Sequence, residues 1–170
     1  MRSASGRRCG PLTLAFVLAF VLALLAGCAG MPESVPPGST RAQIEERLGR
    51  PTAEHRLPDG TRLQYSRQPA GAQVYNLDLG PDGRLRSLEQ VMDVAWLARI
   101  EVGRWTRDDV LLHLGRPAWV EQVARFDGDI WTYRVIDHVW PRRVHIHLDR
   151  AGVVQQVMYT DEPMPDDRTP

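Results

Sequence analysis

Thr40-Arg41-Ala42-Gln43-Ile44-Glu45-Glu46-Arg47-Leu48-Gly49-Arg50-Pro51 recurs 66 positions later as Thr106-Arg107-Asp108-Asp109-Val110-Leu111-Leu112-His113-Leu114-Gly115-Arg116-Pro117. The shared pattern T-R-x-x-[IV]-x-x-x-L-G-R-P marks an internal duplication. Each copy carries its own start and stop. Thr40 can cap a helix, with Gln43 three residues on completing a capping box. Thr106 can do the same, with Asp109 near the positive end of the helix dipole. Ile44 and Leu48, like Val110 and Leu114, lie four apart on one face. Gly49 and Gly115 supply the left-handed C-terminal stop, and Pro51 and Pro117 prevent continuation.

Strand-like segments follow each helix. Asp59-Gly60 sits between 53–57 and 61–66, a hairpin pattern, and Asp127-Gly128 holds the same place between 119–125 and 130–136. Residues 74–79, Asp82-Gly83 and 85–88 then correspond to 144–148, Gly152 and 153–158. Alternation places Leu63 with Tyr65 on one face, and Trp131, Tyr133 and Val135 on another. Each copy therefore reads as a short helix on an antiparallel meander of about four strands. Because so short a helix is marginal alone, the expected fold class is α+β, with helices on one sheet face. The repeats span 38–90 and 91–159.

At 170 residues, 43% hydrophobic and 25% charged, the composition is that of a globular chain. Its 21 basic and 21 acidic residues cancel, which argues against a nucleic-acid binder. Every basic residue is Arg, so Lys nucleophiles and Schiff bases are excluded. Arg2, Arg7 and Arg8 precede an apolar run from Leu12 to Ala26 interrupted only by Thr13, a secretory pattern. The run is shorter than the roughly 20 residues of a spanning helix. It ends in Leu25-Ala26-Gly27-Cys28, which resembles the lipobox of bacterial lipoproteins. On that resemblance residues 1–27 are a signal peptide and Cys28 is the lipidation site, with Ala29 favouring the outer membrane. Cleavage also removes Cys9, which leaves no partner for an intramolecular disulfide. Residues 28–37, with three prolines, read as a stiff tether, and 160–170 as a disordered acidic tail.

The two copies resemble the SmpA/OmlA (BamE-like) domain of outer-membrane lipoproteins, whose pattern is roughly G-x-T-x-x-x-[VI]-x-x-x-L-G-x-P followed by a meander with D-G turns. Gly38 to Pro51 matches it position for position. The apolar Val91, Ala95, Trp96 and Ile100 resemble the family's additional first helix in the second copy. The tandem arrangement is similar to that of the secreted β-lactamase inhibitor protein. The resemblance implies α+β BamE-like repeats, a periplasmic protein-binding role, and partners in the β-barrel assembly machine or in envelope integrity.

Within the chain itself, His145, His147 and Asp149 would point the same way from one strand, and two His with a carboxylate can hold zinc. The plainer reading is the polar face of a strand whose apolar face is Val144, Ile146 and Leu148. Asn76 and Asp78 stand at the positions of His145 and His147 in the first copy, which favours the plain reading, so no metal is expected. Asp108-Asp109 and Glu45-Glu46 fall in exposed helical turns, and no nucleophile-elbow, Walker, zincin or dinucleotide pattern occurs. No catalytic residue and no cofactor beyond the covalent lipid are expected.

All five Trp (96, 105, 119, 131 and 140) lie in the second half. Trp119 and Trp131 read as core. Trp140 belongs to a stretch, 138–143, that replaces the bland 68–73 in a hairpin loop. Trp and Arg dominate interface hot spots, so Trp140, Arg142, Arg143 and, at a helix start, Trp105 are the candidate contact residues. The expected protein is a non-enzymatic, lipid-anchored scaffold on the periplasmic face of the outer membrane; the alternative is an inhibitor of an envelope or secreted enzyme.

Overall fold

A computed structural model describes residues 30–163. Strands β1 (Ala53–Leu57), β2 (Gly60–Ser66), β3 (Val74–Leu79) and β4 (Leu85–Gln90) form one antiparallel meander. Strands β5 (Trp119–Glu121), β6 (Gly128–Asp137), β7 (Trp140–Asp149) and β8 (Val154–Asp161) form a second, again in sequential order. A 3₁₀ turn, Pro32–Ser34, and helix α1 (Arg41–Leu48) precede the first sheet; α2 (Val94–Leu97) and α3 (Arg107–Leu114) precede the second.

Local chemistry sets the helix limits. Gln43 Oε1 accepts from the Thr40 backbone N–H at 2.9 Å while Gln43 N–H donates to Thr40 Oγ1. Asp109 and Thr106 repeat the reciprocal arrangement. Gly49 and Gly115, at φ 78° and 72°, end the two helices in backbone that L-residues avoid. Each terminal glycine is then tied to its own sheet: Tyr65 donates to the Gly49 carbonyl at 3.0 Å, and Tyr133 to the Gly115 carbonyl at 2.8 Å.

The expected α+β class of BamE-like repeats is not what forms. The fold is β-rich, two four-stranded sheets with few helical residues among those described. The apolar Val91–Ile100 stretch, expected to supply a full additional helix, makes the single turn of α2. Its N-cap Asp93 accepts from Ala95 N–H and Trp96 N–H, but Val91, Met92 and Ile100 are buried outside the helix. An eight-residue helix is about 12 Å long, so α1 covers only a strip of its sheet, mainly through Ile44 and Leu48. Strand pairing and side-chain burial between elements carry the rest.

The central strands of the first sheet, β2 and β3, are covered on both faces. Leu63, Tyr65, Tyr75 and Leu77 close on α1. The opposite face, expected to be merely polar, receives the C-terminus of α3. Gln64 and Asn76 are buried there, joined by a 3.0 Å hydrogen bond. Asn76 Nδ2 donates to the His113 carbonyl at 2.8 Å, and Arg62 to the Leu112 carbonyl at 3.2 Å. These are the carbonyls a helix end leaves without intrahelical partners, and a guanidinium there also suits the helix dipole. From its other side α3 sends Val110 and Leu114 into a core with Trp131, Tyr133, Val144 and Ile146 of the second sheet.

Candidate functional site

The β6–β7 hairpin is the longest among the described residues, ten residues in each strand, closed by His138 and Val139 alone. Its first-sheet counterpart, β2–β3, closes through residues 67–73 instead. Trp140, Arg142 and Arg143, expected in a loop, therefore lie in β7, and Trp140 pairs with Asp137 at the last rung. His138 has φ 58°, the positive value a two-residue turn imposes on its first position, where glycine is usual.

This tip is the most exposed apolar feature described: Val139 is 78% exposed, Trp140 65% and Ile136 42%. Beside it runs a groove of about 640 Å³ lined by Val94, Ala95 and Ala98 of the α2 segment and by Ile136, with Asp93, Asp137 and His138 at its rim. A groove of about 750 Å³ lies at the far end of the hairpin, near Gly128 and Asp149, and is polar. Its two arginines are paired within the chain, Arg107 with Asp129 at 2.7 Å and Arg150 with Asp127 at 2.5 Å. The smaller groove is the better contact surface because its walls are apolar.

The arginines of the hairpin are engaged at home. Arg142 reaches Asp137 at 3.0 Å and Asp161 at 3.5 Å, over the Tyr159 ring. Arg143 lies 4.8 Å over the Trp119 ring and 3.8 Å from Glu162, which also holds Arg134 at 2.9 Å. Contacts from His138 and then Arg142 hold the Asp137 carboxyl below its ordinary range. Trp119, expected in the core, is instead 39% exposed beneath Arg143. β8 extends through Thr160 and Asp161, which takes the first residues of the expected tail into the sheet.

The other candidates fall elsewhere. Trp105 is half-buried, stacked 4.8 Å from His113 and edge-on to Trp96 at 6.3 Å, so it joins α2 to α3. His145 engages Thr132 Oγ1 through Nδ1 at 2.9 Å and Thr160 Oγ1 through Nε2 at 2.8 Å. His147 stands edge-on to Phe126 at 5.0 Å, and Asp149 accepts from Val153 N–H and Gln155 Nε2. The three share a strand face, as its alternation requires, but they do not converge, and among the described residues no His/Cys/Asp/Glu cluster could hold a metal. Burial lowers the pKa of both histidines. Cys28 lies outside the described residues.

The groove half contributed by α2 was not legible as a site. Val94, Ala95 and Ala98 look like ordinary helix residues, and only their placement beside Ile136 makes them a surface.

No known protein family and no curated protein matches this chain. One solved structure, a DUF4309 family protein (YjgB) from Bacillus subtilis, is similar over 73% of this chain and 79% of that one, at 17% identity and a TM-score of 0.31. A likeness that weak carries no argument about fold or function.

Proposed function

We propose that the protein is a non-enzymatic, lipid-anchored scaffold on the periplasmic face of the outer membrane, holding an envelope protein in the groove between α2 and the β6–β7 hairpin. The observation that carries this reading is the apolar strip of Val94, Ala95, Ala98 and Ile136 at the base of the exposed tip. The lipobox-like Leu25-Ala26-Gly27-Cys28 supports the anchor. Confinement to the membrane surface raises the effective concentration of such a module near other envelope proteins. The partner class, a component of outer-membrane protein assembly or envelope integrity, follows from the sequence resemblance to SmpA/OmlA lipoproteins. An enzyme inhibitor would be expected to present aromatics from both halves on one face. The exposed indoles, Trp119 and Trp140, both come from the second.

Photo-crosslinking in cells from position 95 or 98, with exposed Ala42 of α1 as the control, tests the reading. Capture of one envelope protein from 95 and 98 but not from 42 supports the scaffold. Capture of a soluble enzyme would turn the assignment to inhibition, and equal background at all three positions would end it.

A further inference from the structure

The tip of the β6–β7 hairpin extends past the contacts that support its base. Gln68, in the loop that closes β2–β3, donates to the Arg134 carbonyl at 2.7 Å and accepts from the Arg134 N–H at 3.1 Å. Arg134 in turn donates to the carbonyls of Pro69 and Ala70. Beyond that tie the hairpin runs three more rungs, to Asp137 and Trp140. Across those rungs β8 still follows β7 as far as Arg142, paired with Asp161, and Glu162 N–H donates to the Pro141 carbonyl at 3.1 Å. The last rung and the turn alone stand clear of the sheet, at ~3.4 Å per residue a projection of about 7 Å. Its end carries Val139 and Trp140, with Ile136 one rung behind. A convex point of this kind lacks the surrounding rim that excludes water from a protein hot spot.

The N-terminal chain enters at the same end of the molecule. Glu33 accepts a hydrogen bond from Tyr75 Oη, and Tyr75 stands one residue inside the β2–β3 hairpin, next to Val74 where β3 begins. Exposed Met31 lies two residues before Glu33. In the sequence only Ala29 and Gly30 stand between Met31 and Cys28. The loop of Gln68, Pro69 and Ala70 joins this end of the first sheet to the base of the projecting hairpin.

We propose that Val139 and Trp140 insert into the interfacial layer of a phospholipid bilayer, giving the anchored domain a second, oriented point of contact. For the orientation this rests on the lipid anchor at Cys28. The projection matches the roughly 5–10 Å depth of interfacial segments, and Trp favours that layer because its ring is apolar while its N–H can stay hydrated. The attraction is apolar. Arg134, Arg142 and Arg143 are spent on Asp137, Asp161 and Glu162, so the described residues leave no free cation cluster at the tip to seek anionic lipid.

An acylated Cys28 leaves Val139→Cys as the sole free thiol of the processed chain. The lipidated protein, labelled there with an environment-sensitive fluorophore, is placed in nanodiscs of phosphatidylethanolamine and phosphatidylglycerol doped with brominated lipid; Ala42→Cys is the control. The expected result is quenching at 139 at least about twofold stronger than at 42, unchanged by ~0.5 M salt (about a 4 Å Debye length) and lost in Trp140→Asp with unchanged circular dichroism. Equal quenching at 139 and 42 in folded protein overturns the proposal, as does quenching that salt abolishes. Mass spectrometry of the N-terminal peptide tests the anchor separately. If Cys28 carries no lipid, the protein is labelled at 139 in a Cys9→Ser/Cys28→Ser background and read on untethered vesicles, where selective quenching still supports insertion and its absence overturns it. Capture of a protein rather than lipid by a photo-crosslinker at 140 also overturns it, while leaving the groove's partner to be decided from 95 and 98.

Discussion

Asn76 on β3 donates its side-chain amide to the carbonyl of His113, in the last turn of α3, at 2.8 Å. That bond links the first sheet to the helix of the second half. With Arg62 and Gln64 it gives the helix end a protein substitute for water. The face that looks solvent-directed in one repeat is thereby a buried seam between the two.

Asn76→Ala leaves the His113 carbonyl and the Gln64 amide short of partners in a buried setting. The expected cost is about 1–3 kcal/mol, read as a lower urea midpoint at an unchanged slope. Gln156→Ala on β8, where the side chain is exposed, serves as the comparison and should be near neutral. Equal effects of the two substitutions would mean that the seam contributes nothing.

Gly49→Ala and Gly115→Ala place the same backbone strain at equivalent helix ends, where φ 78° with ψ −167° and φ 72° with ψ −163° are open essentially to glycine alone, about 1–3 kcal/mol each. They differ in surroundings. A Cβ at Gly49 meets nothing within 4 Å, whereas at Gly115 it would lie 2.6 Å from Gln64 Oε1. Gly115→Ala should therefore destabilise more than Gly49→Ala in paired thermal melts, and the excess should vanish in a Gln64→Ala background.

His113 is held below its ordinary pKa of 6.5 by burial first and by the Arg62 guanidinium second. Arg62 Nη1 lies 3.3 Å from His113 Nδ1, a geometry in which an unprotonated ring nitrogen accepts. The folded state thus binds the proton less readily than the unfolded chain. Stability is unaffected well above 6.5 and falls as pH drops below it, until the lowered folded-state value is passed. Burial gives His145 and His147 the same sign. Urea titrations between about pH 7.5 and 5 should show this slope, and His113→Gln should flatten it. A slope unchanged by that substitution would assign the effect to the β7 histidines.

His138→Gly relieves positive φ at the hairpin turn. It also removes the 3.0 Å contact with Asp137, which is highly exposed on the His138 side and contributes little. A net gain of up to about 1 kcal/mol is expected, measured as a raised Tm, with the Val139 and Trp140 side chains untouched.

Much of the backbone plan was legible because its causes are local. Thr40 with Gln43, Thr106 with Asp109, and the glycines at 49 and 115 satisfy or end a helix within one or two turns of chain, and alternation marks the strands. The resemblance misled about class: Val91–Ile100 has a helical pattern, yet its residues are buried by partners elsewhere and only one turn forms. The contact surface was half legible. Trp140 stood out by composition, but its place at the last rung of a ten-residue strand depends on pairing with β6.

What remained closed to the sequence lies in contacts between distant segments. Gln64 and Leu111 are 47 residues apart and Gln68 and Arg134 are 66 apart, and no local pattern relates them. The duplicated chain dictates two capped helices and the strands that follow them. The tertiary structure decides that α3 ends against the first sheet, that half-buried Trp105 joins an aromatic cluster with Trp96 and His113, and that the tip of one hairpin projects. It decides them because burial of a polar face costs free energy unless another segment supplies matching hydrogen-bond partners, and only the folded chain brings such partners together.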